Sequence, residues 1–260
     1  MGPPIADMEI PRNIFRLYSD LSWLWPMWED HAIDYAPYNE YVVQLIAKYA
    51  ARSVNSLLDI SCGGGKNIFH LKRHYQVTGL DLSSDMLKLA TKLNPEATFV
   101  QADMRAYSLG KTFDAILVDD GVNHLITKED LGQTLSNAYK HLNQGGVLIL
   151  TPDATEETFH LVEGSISPAC KKYQPQGMDI VFVEHSFDPD PGQTFYESAM
   201  VYLIRENGKI RLECESFTLG LFSISTWEEL FTQAGFAFHR EAYQEKHNEY
   251  LTFVGVKAPK

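Results

Sequence analysis

Between residues 56 and 153 short apolar runs alternate with stretches in which apolar residues recur every three or four positions. SLLDI (56–60), VTGLDL (77–82), ATFVQAD (97–103), FDAILVDD (113–120) and GGVLILTPD (145–153) read as strands, and their near-continuous apolar character marks them as buried on both faces. KNIFHLKRHY, SSDMLKLATKL and Thr127–Leu142 carry the helical period between them, the last behind a capping pattern T-K-E-D. Ahead of the first strand, Pro37 suits a first helical position, and Tyr38, Val42, Leu45 and Tyr49 fall on one face of the helix it opens. Strands separated by helices of this length predict a parallel sheet covered on both sides.

After Asp153 the period shortens to two. IVFVEHSF, TFYESAMVYLIRE and KIRLECESFTL read as antiparallel strands, and Asn207-Gly208 makes the turn between the last two. In the third, Ile210, Leu212 and Cys214 alternate with Arg211, Glu213 and Glu215, so the apolar set is expected to face the core. A helical pattern returns at Ser225 and stops at Gly235, and AFHREAY and YLTFVGVK close the chain as strands. The reading is one α/β domain over residues 1–260, with an aromatic and helical segment at 1–50 and a β-rich cap insertion at 154–224. Tyr18, Trp23, Trp25 and Trp28 are expected to pack the first segment onto the core, with a lid over the substrate as the alternative. So small an inserted sheet leaves edges that a second copy would hide, which predicts a homodimer.

Composition narrows the partners. Acidic residues number 34 against 22 basic ones, a formal charge of −12, and no run of Lys and Arg is available to grip a phosphate backbone, so nucleic acid is excluded and a small molecule favoured. The odd count of 3 cysteines, without C-x-x-C spacing, fits a reducing compartment. MGPPIADMEIPRN lacks the pattern of a secretory leader and no apolar window is long enough to span a bilayer, so a cytoplasmic location with no membrane partner is expected. His70 and His74 form H-x-x-x-H without the glutamate or third ligand of a zinc site, and read as a solvated helix face; no metal is expected.

The chemistry centres on LLDISCGGGKN (57–67), a strand running into three glycines. A dinucleotide fingerprint needs a third glycine where Ile68 stands, and a phosphate loop needs glycine at Ile60 and Ser or Thr at Asn67, so both phosphate readings fail. What remains is a strand, turn and helix able to seat a nucleoside with an amino-acid tail against bare backbone, behind Asp59. Asp81, at the tip of the next strand, can accept from two ribose hydroxyls, and Asp103, at the tip of the third, from an exocyclic amine.

These residues carry a resemblance to the class I S-adenosylmethionine-dependent methyltransferases. LLDISCGGG resembles that family's first motif, GLDLSSDML its second and QADMR its third, while FDAILVDD and GGVLIL resemble its later strands. The resemblance implies a Rossmann-like, doubly wound seven-stranded sheet with an antiparallel β-rich insertion, and S-adenosyl-L-methionine as cofactor. It sets Asp59, Ser61, Cys62 and Gly63 around the methionine part, with Gly65 completing the loop, and Asp81 on the ribose. Leu82 and Met86 would line the adenine, Asp103 and Met104 read its edge, and Asp119 join the cofactor-contacting set. Ser61 departs from the glycine frequent at its place. The insertion is most similar to that of N,N-dimethyltransferases acting on nucleotide-linked amino sugars, which implies a small amine acceptor. An O-methyltransferase of a small metabolite, or a cofactor-binding module without catalysis, stays open.

Methyl transfer is an in-line displacement that needs alignment and exclusion of water, with a base only for a protonated nucleophile. The candidate segment is DDGVNHL (119–125). If the chain turns helical after Asp120, Asp120 and His124 stand four apart and can touch, giving a carboxylate-oriented imidazole able to take a proton. Cys62 is either a thiol activated at a helix start or a packing residue beside the cofactor.

Overall fold

The computed structural model describes residues 15–159, 165–188, 192–245 and 248–259. Met1–Asn13, where a leader was looked for, and parts of the cap insertion lie outside them. The elements run α1 Ala36–Tyr49, β1 Ser56–Ile60, α2 Lys66–Leu71, β2 Gln76–Asp81, α3 Ser84–Leu93, β3 Thr98–Gln101 and β4 Phe113–Asp119. There follow α4 Lys128–His141, β5 Leu142–Thr151, β6 Ser165–Pro168, β7 Met178–Phe187, β8 Phe195–Glu206, β9 Lys209–Gly220, α5 Ile224–Ala234, β10 Ala237–Glu245 and β11 Asn248–Val256.

Seven strands form one sheet in the order β10-β11-β5-β4-β1-β2-β3, with β11 antiparallel between its neighbours. β1 pairs in parallel with both β2 and β4, so the chain winds outward in opposite directions from this pair. A crevice opens at such a switch point beyond the carboxyl ends of the strands, which is where Asp59, Asp81 and Asp119 lie. Helices cover both faces: Leu131, Leu135, Trp227 and Phe231 pack on one side of the sheet, and Val42, Leu45, Ile68 and Leu71 on the other. Local sequence sets the helix ends. The Ser83 hydroxyl accepts from Met86 N at 3.1 Å and the Thr127 hydroxyl from Asp130 N at 3.1 Å. α5 begins earlier than the Ser225 pattern implies, because Ser223 takes the capping position.

β6–β9 form a separate antiparallel sheet with Asn207 and Gly208 at positive φ (50° and 76°) in its last turn. Its inward residues, among them Ile180, Phe182, Tyr202 and Phe217, pack against Leu17, Leu21, Leu24 and Met27 of the N-terminal segment. The expected facing of β9 is reversed. Ile210 and Leu212 are 66% and 64% exposed, while Glu215 is 1% exposed. Glu215 is tolerated inside because its carboxylate accepts from Leu17 N at 3.1 Å and from the Tyr202 hydroxyl. The second correction is His70: α2 ends at Leu71, and His70 is buried with Nε2 2.7 Å from the His31 carbonyl oxygen, so it is not on a solvated face.

Candidate active site

The glycine loop is shaped by the protein's own packing. Ser61 stands at φ 60°, Gly63 at 52° and Gly65 at 78°, so the serine that departs from the usual glycine adopts the left-handed conformation itself. A Cβ on Gly64 would lie 2.5 Å from Trp25 Cδ1, and one on Gly65 would lie 2.6 Å from Asn94 Nδ2. The close approach that the bare backbone permits is thus made in part by Trp25 and α3. Cys62 is buried, which pushes its thiol well above the ordinary value, so the packing reading holds over the reactive one.

A cavity of about 640 Å³ follows the tips of β1, β2 and β3. Asp81 stands at its centre, its two oxygens accepting from Gly63 N and Ser83 N at 2.8 Å each. Every carboxylate oxygen has a further lone pair, so both can still accept a hydroxyl. Leu82 is 67% exposed at the rim, and Met104 and Asp103 line the β3 side, while Met86, buried behind Gly63, and Gly65 do not reach the cavity. Arg105 holds Asp103 ionised from 2.6 Å. Asp59 is 1% exposed, both its oxygens are without partners, and burial with the nearby charges of Asp119 and Asp81 drives its pKa well up. Asp59 does not line the cavity, so the structure leaves this predicted cofactor contact unmade.

A second cavity of about 440 Å³ shares Tyr18, Trp25, Tyr35, Asp119, Asp120 and His124 with the first and extends to Asp153 and to Glu184 and Ser198 of the cap. Asp119 accepts from Asn67 Nδ2 at 2.8 Å, and burial moves it up to about 6 against that bond. Asp120 leaves the strand at φ 38° and lines both cavities, where its side chain is exposed. Desolvation there, with Asp119 and Asp153 close by, raises its pKa well above the carboxylate norm. Asp153, raised chiefly by burial, accepts from the Tyr196 hydroxyl at 2.9 Å.

The expected Asp120–His124 pair is not made. Gly121–His124 is a 3-10 turn, in which residues four apart rotate away from one another instead of stacking as they do in an α-helix. His124 Nε2 lies 3.2 Å from the Tyr18 hydroxyl, Nδ1 has no partner, and burial pushes the imidazole down to about 4, so it is neutral at pH 7. Tyr18, Trp25, Tyr35, Lys66, Asp153 and Glu184 are cavity residues that sequence reasoning left out of the site. For Trp25 the signal is the aromatic crowding around LYSDLSWLWPMWED, for which packing onto the core was favoured over a lid above the substrate.

Sheet order, crevice and glycine loop together define a Rossmann-like methyltransferase fold. A methyltransferase domain family matches residues 57–146. Over 205 residues the chain is 32% identical to dTDP-3-amino-3,4,6-trideoxy-alpha-D-glucopyranose N,N-dimethyltransferase of Streptomyces venezuelae, covering 78% of this chain and 83% of that one. A dTDP-3-amino-3,6-dideoxy-alpha-D-glucopyranose N,N-dimethyltransferase of Streptomyces fradiae is 30% identical, over 74% of this chain and 73% of its own. The crystal structure of DesVI from Streptomyces venezuelae superposes with a TM-score of 0.76 at 28% identity, covering 96% of this chain and all (100%) of that one. An amino pentose methyltransferase from Micromonospora echinaspora, solved with its cofactor bound, shares the fold with a TM-score of 0.75 at 22% identity, over 95% and 99% of the two chains. The chain belongs to the S-adenosylmethionine-dependent methyltransferases, and its reaction is methyl transfer to a small-molecule acceptor.

Proposed function

We propose that the protein N-methylates the amine of a small amino sugar, with the cofactor along the first cavity and the acceptor in the second. The observation that carries this reading is the second cavity's lining: carboxylates of Asp119, Asp120, Asp153 and Glu184 beside Tyr18, Trp25, Tyr35 and His124. Carboxylates and aromatic faces both attract an ammonium, the form in which an amine arrives at neutral pH. The curated relatives named as amino-sugar N,N-dimethyltransferases favour the same acceptor class.

S-adenosylmethionine supplies, when bound, an electrophilic methyl group that needs no activation by the protein. The free lone pairs of Asp81 fit its ribose hydroxyls, and Leu82, Asp103 and Met104 line the cavity where its adenine would lie. The acceptor must lose a proton before its nitrogen can attack. Asp120, with its raised pKa, is better matched to take that proton than His124 at about 4. The His124 ring, held at Nε2 by the Tyr18 hydroxyl, forms part of the wall beside the amine. The cap and the N-terminal segment exclude water.

Transfer is tested by incubating the protein with S-adenosylmethionine and a dTDP-linked 3-amino sugar, with its 3-hydroxy counterpart as control, and weighing the products. Stepwise addition of methyl groups to the amino compound alone is expected. Methylation of the hydroxy compound would establish the O-methyltransferase reading instead, and cofactor binding without turnover on either would favour a binding module.

A cytoplasmic homodimer completes the proposal. Cys62, Cys170 and Cys214 are free thiols, in keeping with a reducing compartment. On the outer face of the cap sheet Ile166, Val183, Val201 and Cys214 align across all its strands beside exposed Ile210 and Leu212. An apolar face of this kind calls for a partner surface, and a second copy supplies an identical one. Among the described residues no helix is long and apolar enough to cross a membrane.

A further inference from the structure

Lys66 is the first residue of α2 and follows the glycine loop directly. Its side chain is 4% exposed and its Nζ has no hydrogen-bond partner. The ammonium lies 5.1 Å from the centroid of the Trp25 ring and 4.9 Å from that of Tyr35. Lysines ordinarily extend the amine to water and bury only the stem. Here the amine is kept inside, and burial lowers its pKa to about 8 although Glu29, Asp34 and Asp30 pull the other way. The aromatic faces hold the charge in place but leave its N–H donors unused.

Lys66, Trp25 and Tyr35 line the same cavity as Asp81. Of the Lys and Arg side chains lining that cavity among the described residues, the other is Arg105, which is occupied by Asp103 at 2.6 Å and Asp130 at 3.1 Å. Lys66 is therefore the available cation. A buried ammonium that lines a ligand cavity without a hydrogen-bond partner is answered by an anionic group of the ligand, such as the carboxylate of an amino-acid tail.

We propose that Lys66 is the receptor for the α-carboxylate of S-adenosylmethionine, with Trp25 and Tyr35 holding its ammonium in position before the cofactor arrives. This rests on the reading that the cofactor's methionine end lies along the glycine loop. Because the charge is already placed and desolvated, the carboxylate gains a charge-assisted hydrogen bond without ordering a flexible side chain.

The experiment is calorimetric titration of wild type and Lys66→Met with S-adenosylhomocysteine and with its decarboxylated analogue, which keeps the ammonium and lacks the carboxylate. Wild type is expected to prefer S-adenosylhomocysteine by about 10- to 100-fold, the range for a hydrogen bond to a charged group, and Lys66→Met to bind both ligands alike at the weaker level. If wild type does not discriminate between the ligands, or if Lys66→Met weakens both by the same factor, Lys66 does not read the carboxylate. If wild type binds neither, the cofactor's placement along the loop is itself wrong and the proposal falls with it. Should Lys66→Met fail to fold, Lys66→Gln carries the same comparison. The wild-type ligand pair alone still decides whether a carboxylate is read at all.

Discussion

The place of Asp59, Asp81 and Asp103 at the carboxyl edge was legible because a strand pattern fixes where the strand ends, and in a parallel sheet every such end reaches one edge; that Asp81 and Asp103 line the cavity while Asp59 is closed off from it was not. The contact between Asp120 and His124 was not, since it depended on whether DDGVNH turns as an α-helix or a 3-10 turn, and periodicity does not separate the two over so few residues. The roles expected at this scale follow from the environments. Asp120→Asn should lower kcat by roughly 10² to 10³, the range for removing a proton acceptor, and His124→Asn by about tenfold, with cofactor affinity unchanged in both. The reverse order in steady-state rates would return the base role to His124. Asp119 offers a pH test. Its pKa is about 6 in the fold against 3.8 ordinarily, so the folded state binds the extra proton between these values, and the ionised carboxylate lowers stability above pH 6. Asp119→Asn should accordingly raise the melting temperature at pH 8, with the gain shrinking as pH falls toward 4. A gain independent of pH would contradict the assigned burial.

Among the elements, those with a clear period were read correctly from the sequence, as α4 behind its Thr127 cap and the β8–β9 hairpin at Asn207-Gly208 show. The N-terminal segment was harder. Its two short 3-10 turns, Arg16–Tyr18 and Ser22–Met27, have no period long enough to show a face, so the aromatic crowding did not tell which of its rings reach the cavities, as Tyr18 and Trp25 do. The strand β9 misled for another reason: alternation gives two faces but not which is inward, and Glu215 is inward because Leu17 N and the Tyr202 hydroxyl need an acceptor there. This carboxylate ties the segment carrying Tyr18 to the cap. Glu215→Ala should leave both donors unsatisfied and cost about 1 to 3 kcal/mol in urea unfolding. An unchanged midpoint would show that the segment is held by its apolar contacts alone.

For the whole molecule, the N-terminal segment and the carboxyl edge of the large sheet line two adjoining cavities, one suited to a nucleoside with an amino-acid tail and one, walled also by the cap sheet, to a cation. The outer face of the cap is left apolar. Replacing Ile210 and Leu212 together by glutamate should convert a dimer to a monomer in light scattering while leaving cofactor affinity intact; a wild-type protein that is already monomeric at micromolar concentration would exclude this interface. Placement of the cofactor across the tips of β1, β2 and β3 underlies every other role assigned above. Its most direct test is the affinity of S-adenosylhomocysteine for wild type and Asp81→Ala, measured by calorimetry. One-to-one binding weakened by about 1.5 to 3 kcal/mol in the variant is the expected result, from the loss of hydrogen bonds between a carboxylate and the ribose hydroxyls. Equal affinity in a folded Asp81→Ala protein would contradict that placement and reduce Asp81 to a brace for Gly63 and Ser83.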